Sequence, residues 1–134
     1  MADNAVRAPI TMRLPFSASS VSVARQNLKN WLTEFGGDQE SIEDARVIIS
    51  ELVANSVRHA QPLSDGSILV KWTVEADGVQ VSVTDGGSGT RPRNMHAPSS
   101  ALAGRGMAIV EILSQRWWTE RSGSRSTVHA MINA

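Results

Sequence analysis

Ser50-Glu51-Leu52-Val53-Ala54-Asn55-Ser56-Val57-Arg58-His59-Ala60 sets a carboxylate, Glu51, and a carboxamide, Asn55, four positions apart inside a helical pattern. Four residues turn an α-helix by about 400°, so the two side chains stand nearly on one line. Ala45, Ile48, Ile49, Leu52 and Ser56 recur at helical spacing as the stripe that faces a core. Glu51, Asn55 and Arg58 or His59 form the stripe beside it. The helix is expected to begin after Asp38 or Ser41 and to run to about His59, with Pro62 ending it. Taken alone, such a polar stripe is ordinary solvated surface. Two glycine clusters later in the chain, at 85–89 and 104–106, give it a second meaning.

Residues 67–74 and 78–84 alternate as strands, and Asp77-Gly78 between them is a hairpin signal. The second strand runs into Val83-Thr84-Asp85-Gly86-Gly87-Ser88-Gly89. From Asp85 to Gly104 the chain is rich in Gly, Pro, Ser and Arg without apolar periodicity, and so long a loop is usually functional or mobile. Residues 105–115 return to a helical pattern, with Gly104-Arg105-Gly106-Met107 at its start. Residues 117–120 and 127–132 read as a final hairpin turning through Ser122-Gly123-Ser124.

In the other direction, Gly36-Gly37 ends a helix that Ser19 or Ser20 can cap, with Val23, Leu28, Trp31, Leu32 and Phe35 as its apolar face. Residues 10–16 suit an edge strand, where Pro15 is tolerated. Residues 1–9 are small and polar and are expected to be poorly ordered, leaving 10–134 as one domain. The expected architecture is α+β, a two-layer sandwich of a mostly antiparallel sheet with about three helices on one face.

Thirteen basic residues balance thirteen acidic ones, so no net field favours nucleic acid or an acidic membrane surface. With no cysteine there are no disulfides, cysteine nucleophiles or cysteine-based zinc sites. No apolar run approaches a membrane span, and a cytoplasmic protein is the expectation. Trp31, Trp72, Trp117 and Trp118 are expected as core or interface anchors.

Each polar motif suits one part of a nucleotide. The carbonyl oxygen of Asn55 is an ordinary Mg²⁺ ligand, and Mg²⁺ takes most other ligands from water and phosphate. Glu51 can accept a proton from an attacking hydroxyl. Asp85, at a strand end before closely spaced glycines, can accept from an exocyclic amine where the backbone closes on a planar base; the same residues also make a good turn. Glycines at a helix start leave amides free for an anion; a plain glycine N-cap reads the same residues equally well. The P-loop and the strand–GxGxxG–helix pattern are both absent.

In this order, Glu51-Leu-Val-Ala-Asn55-Ser-Val-Arg-His59-Ala60, Asp85-Gly86-Gly87-Ser88-Gly89 and Gly104-Arg105-Gly106-Met107 resemble the N, G1 and G2 boxes of the GHKL superfamily, which has the Bergerat ATP-binding fold. The resemblance is closest to the small bacterial anti-sigma-factor serine kinases and covers residues 10 to 132. It implies Asn55 as Mg²⁺ ligand, Glu51 as general base and Asp85 as acceptor from the adenine amino group. His59 belongs to the N box, Gly87 and Gly89 would shape the pocket floor, and Gly104, Arg105, Gly106 and Met107 would lie by the phosphates. Residues 90–103 would be the ATP lid, and Thr127 matches a Thr often found near adenine. Two departures stand out: Gly123-Ser-Arg-Ser replaces a glycine pair before Thr127, and Ser56 replaces a small apolar residue after the Asn.

The implied function is an anti-sigma regulatory factor that binds ATP and Mg²⁺, phosphorylates a serine or threonine of an anti-anti-sigma (STAS-type) partner and so controls a sigma factor. No phospho-acceptor histidine domain precedes the motifs, so histidine-kinase activity is not expected. The alternative is a non-catalytic ATP-sensing module whose lid switches partner affinity. Homodimerisation stays open.

Overall fold

The computed structural model describes residues 8–87 and 101–133, with the backbone alone for 101–106. Among the described residues five strands form one antiparallel sheet in the order β1-β2-β3-β5-β4. They are β1 (Ile10–Pro15), β2 (Ser67–Glu75), β3 (Gly78–Asp85), β4 (Arg116–Ser122) and β5 (Arg125–Ile132). Between them run α1 (Ser19–Phe35), α2 (Gln39–His59) and α3 (Ala101–Leu113). The expected edge strand is an edge strand, and Pro15, opposite Ser67, closes its pairing with β2.

Alternation along the central strands decides where the helices pack. Ile68, Val70 and Trp72 of β2, Val79, Val81 and Val83 of β3, and Ala130 and Ile132 of β5 share one face, and each is at most 2% exposed. Ala24 and Leu28 of α1, Ala45, Ile48, Ile49 and Leu52 of α2, and Val110 of α3 complete the same core. All three helices therefore cover one side of the sheet. Trp72 is the largest fully buried side chain. Trp31 packs against its ring and stacks on Phe35, the anchoring role expected of these tryptophans.

The ends of α1 and α2 follow local chemistry. The Asp38 side chain accepts from the Ser41 amide at 2.8 Å, an N-cap contributing about 1 kcal/mol. Gly36, at φ 96°, ends α1 with its amide on the Leu32 and Thr33 carbonyls. At the other end of α1 the expectation fails. Ala18 is the N-cap, without a side-chain cap. The buried Ser20 hydroxyl instead donates to the Pro15 carbonyl at 2.6 Å, tying the helix to the end of β1.

Helix α3 is the larger departure. It begins at Ala101, so Gly104-Arg105-Gly106 stand inside its first two turns and not ahead of them. Ala101-Leu102-Ala103 are strong helix formers and carry the helix back past the glycines. Of the three, only Gly104 falls among the first four residues, whose amides lack an intrahelical acceptor. The expected lid thus loses residues 101–103 to the helix. Its remainder, with Ser88, Gly89 and residues 1–7, lies outside the described residues.

Candidate nucleotide site

Helix α2 carries Glu51 and Asn55 on its half-buried flank, one turn apart, as the spacing predicts. The Asn55 Oδ1 atom is buried and has no hydrogen-bond partner among the described residues. Such an orphaned carbonyl oxygen is costly unless a ligand completes it. The Glu51 side chain makes no hydrogen bond or ion pair to another described residue. His59, in the last turn, is exposed.

The next position along the helix faces the strand. The Ser56 hydroxyl donates to Asp85 Oδ2 at 2.6 Å, and the Gly87 amide donates to Asp85 Oδ1 at 2.8 Å. Ser56 and Asp85 are each 6% exposed. Burial pushes the Asp85 carboxyl above its ordinary value, and the Ser56 hydroxyl, the Gly87 amide and the nearby Arg121 charge pull it back. The carboxylate can accept further hydrogen bonds, because ionised oxygens carry about four acceptor sites between them.

Two backbone bonds lock the Asp85 turn onto the end of α2. The Gly86 amide donates to the Gln61 carbonyl at 2.8 Å, and the Gln61 amide donates to the Gly87 carbonyl at 2.8 Å. Gly87 sits at φ 89°, a left-handed conformation, and a Cβ there would lie 2.6 Å from the Ser124 carbonyl oxygen. The glycines that looked like turn chemistry are therefore points where three segments meet.

Register places the remaining groups. Asp85 pairs with Ser126, and Ser126 pairs with Arg121, so all three lie in one row on the helix-covered side. Thr127 is one residue further and lies on the opposite face, its hydroxyl 2.8 Å from that of Thr84. Thr127, expected near Asp85, is therefore corrected to the face away from it: a one-residue step along a strand reverses the face. Ser126, Arg121 and Ser56 are the residues that the sequence reading missed at this end. The alternation through Val128 and Ala130 could have pointed to Ser126, since residues two apart share a face.

Residues 14–132 match the model of the histidine kinase-like ATPase domain. The chain belongs to that family. It is 31% identical over 116 residues to the serine-protein kinase RsbW of Listeria monocytogenes, covering 78% of this chain and 74% of the relative. RsbW of Staphylococcus aureus is 34% identical over 80 residues, covering 58% and 50%. The crystal structure of the RsbU and RsbW domains of Rv1364c from Mycobacterium tuberculosis superposes with a TM-score of 0.71 at 26% identity. That likeness covers 96% of this chain and spans 33% of the other. The SiaB–SiaC complex of Pseudomonas aeruginosa gives 0.69 at 15% identity over 92% of this chain and 88% of that one, a likeness of fold alone.

Within this kinase-like ATPase fold, the donor set suits Mg²⁺ better than a transition metal. A single free amide oxygen is compatible with an ion that keeps its waters and takes phosphate oxygens. No cluster of three or more His, Asp or Glu that could hold a metal occurs among the described residues. Two grooves, of about 540 and 420 Å³, flank the β2–β3 turn and include none of Glu51, Asn55 or Asp85. They lie at the far end of β3 from Asp85. No described helix is long and apolar enough to cross a membrane.

Proposed function

We propose that this protein is an anti-sigma regulatory factor that uses ATP and Mg²⁺ to phosphorylate a serine or threonine of an anti-anti-sigma (STAS-type) partner, and so controls the availability of a sigma factor. The observation that carries the reading is one helix holding Glu51 and the partnerless Asn55 oxygen on its flank while Ser56 grips Asp85. Relatives named serine-protein kinases support the choice of reaction.

Asp85 accepts from the amino group of the base, and the Gly86–Gly87 turn gives that base a close backbone wall. Asn55 Oδ1 would hold Mg²⁺, and the ion would supply charge neutralisation for the phosphates. The free amides at the start of α3 supply further positive potential. Glu51 takes the proton of the attacking hydroxyl. The new bond joins that oxygen to the γ-phosphorus, the bond from phosphorus to the β–γ bridging oxygen breaks, and ADP leaves. The chain's own contribution is positioning and electrostatics.

The partner complexes, a homodimer and a cytoplasmic setting belong to this proposal as well. Transfer of labelled γ-phosphate to a STAS-type protein, followed by mapping of the modified residue, tests it. ATP binding without any transfer would leave the non-catalytic sensing module in its place.

A further inference from the structure

Ser56 occupies a position where the resemblance expects a small apolar residue, yet its hydroxyl makes one of the shortest polar contacts in the core. A carboxyl group turns broadly about its last torsion unless its oxygens are held. Here both are held, and from different elements: α2 supplies the Ser56 hydroxyl to Oδ2, and the turn after β3 supplies the Gly87 amide to Oδ1. The plane of the carboxylate is thereby fixed against the helix. An alanine would leave Oδ2 buried with its donor removed.

We propose that Ser56 is a positioning residue for the base end of the nucleotide site, acting through Asp85 to aim its free lone pairs at the exocyclic amino group of a purine. This deepens the nucleotide reading of Asp85 and rests on it. Ser56 does not itself touch the ligand. A neutral hydroxyl donating to an ionised oxygen makes a bond of the stronger, charge-assisted kind and leaves the carboxylate acceptor-only. Its effect on binding therefore passes through one ligand group, the amine.

That single path makes the proposal testable with two ligands. Calorimetry of the full chain with Mg²⁺ compares ATP with purine riboside 5′-triphosphate, which lacks the 6-amino group. Ser56→Ala is expected to weaken ATP binding about tenfold and to change binding of the amine-free analogue less than about twofold. Ser56→Thr, which keeps the hydroxyl, is expected to retain the preference for ATP. Equal losses for both ligands would mean a general structural role and overturn the proposal, as would no loss for either. A wild-type chain that binds both ligands equally, or neither, would overturn the nucleotide reading of Asp85 and this proposal with it. A wild type that prefers ATP, with Ser56→Ala keeping the full preference, would overturn the role of Ser56 alone.

Discussion

The Pro62 carbonyl oxygen lies 2.2 Å from the point that a Cβ on Gly86 would occupy. The exit of β3 is thus in direct backbone contact with the segment after α2, and the two sides of the site are keyed together there. Gly86→Ala must push two backbones apart, at about 2 kcal/mol or more. Urea unfolding should show the lowered midpoint, and ATP affinity should fall with it.

On the proposed reading, Asp85 carries a conflict between stability and binding. Burial raises its folded-state pKa above the ordinary 3.8, so between those values the native state holds more protons than the unfolded chain. Its contribution to stability is therefore gained as pH falls through that window and lost as pH rises. Asp85→Asn keeps the shape and removes the charge, and thermal melting at neutral pH should find the ligand-free variant at least as stable as wild type. Its ATP affinity should nevertheless drop by about 10–100-fold. In the wild type, ATP affinity should fall as pH drops through the raised pKa of Asp85, and the variant should lack that dependence.

For Asn55 the decisive comparison is with and without metal. Wild-type ATP affinity should fall when EDTA removes Mg²⁺. Asn55→Ala should bind ATP at least about tenfold more weakly in Mg²⁺ and respond little to EDTA. Because the lost oxygen is buried without a described partner, the ligand-free unfolding midpoint should stay level or rise.

With Glu51 as the proposed base, one substitution separates binding from chemistry. Glu51→Gln preserves size and removes the base, so single-turnover phosphate transfer should slow by about 10²–10⁴-fold while the Kd for ATP stays within about threefold. A transfer rate unchanged by the substitution would move the base to another residue.

The strand face gives a paired test. Thr127→Val, on the far face, should leave ATP affinity within about twofold. Ser126→Val, in the row of Asp85 and Arg121, should weaken it by roughly 2–10-fold, the range of one hydrogen bond. The reverse pattern in calorimetry would return Thr127 to the base end.

Periodicity fixed α2 to within a residue or two because its apolar stripe and its Asp38 cap are both local signals. The strands were legible for the same reason, through alternation and the Asp77-Gly78 turn. The start of α3 was not, because Gly104 and Gly106 suggest an end while the helix formers before them carry the helix further.

By itself the sequence determined the elements, the two-layer class and the placement of Glu51 over Asn55, since each depends on neighbours a few residues away. Only the tertiary structure decided which groups meet at Asp85. Ser56 is 29 residues from it, and the Ser126 hydroxyl shares its face only through strand register. A one-residue shift reverses a strand's faces, and no local pattern at Thr127 carries that information. The close packing of Gly86 on Pro62, likewise, exists only once α2 and β3 have been brought together by the core they share.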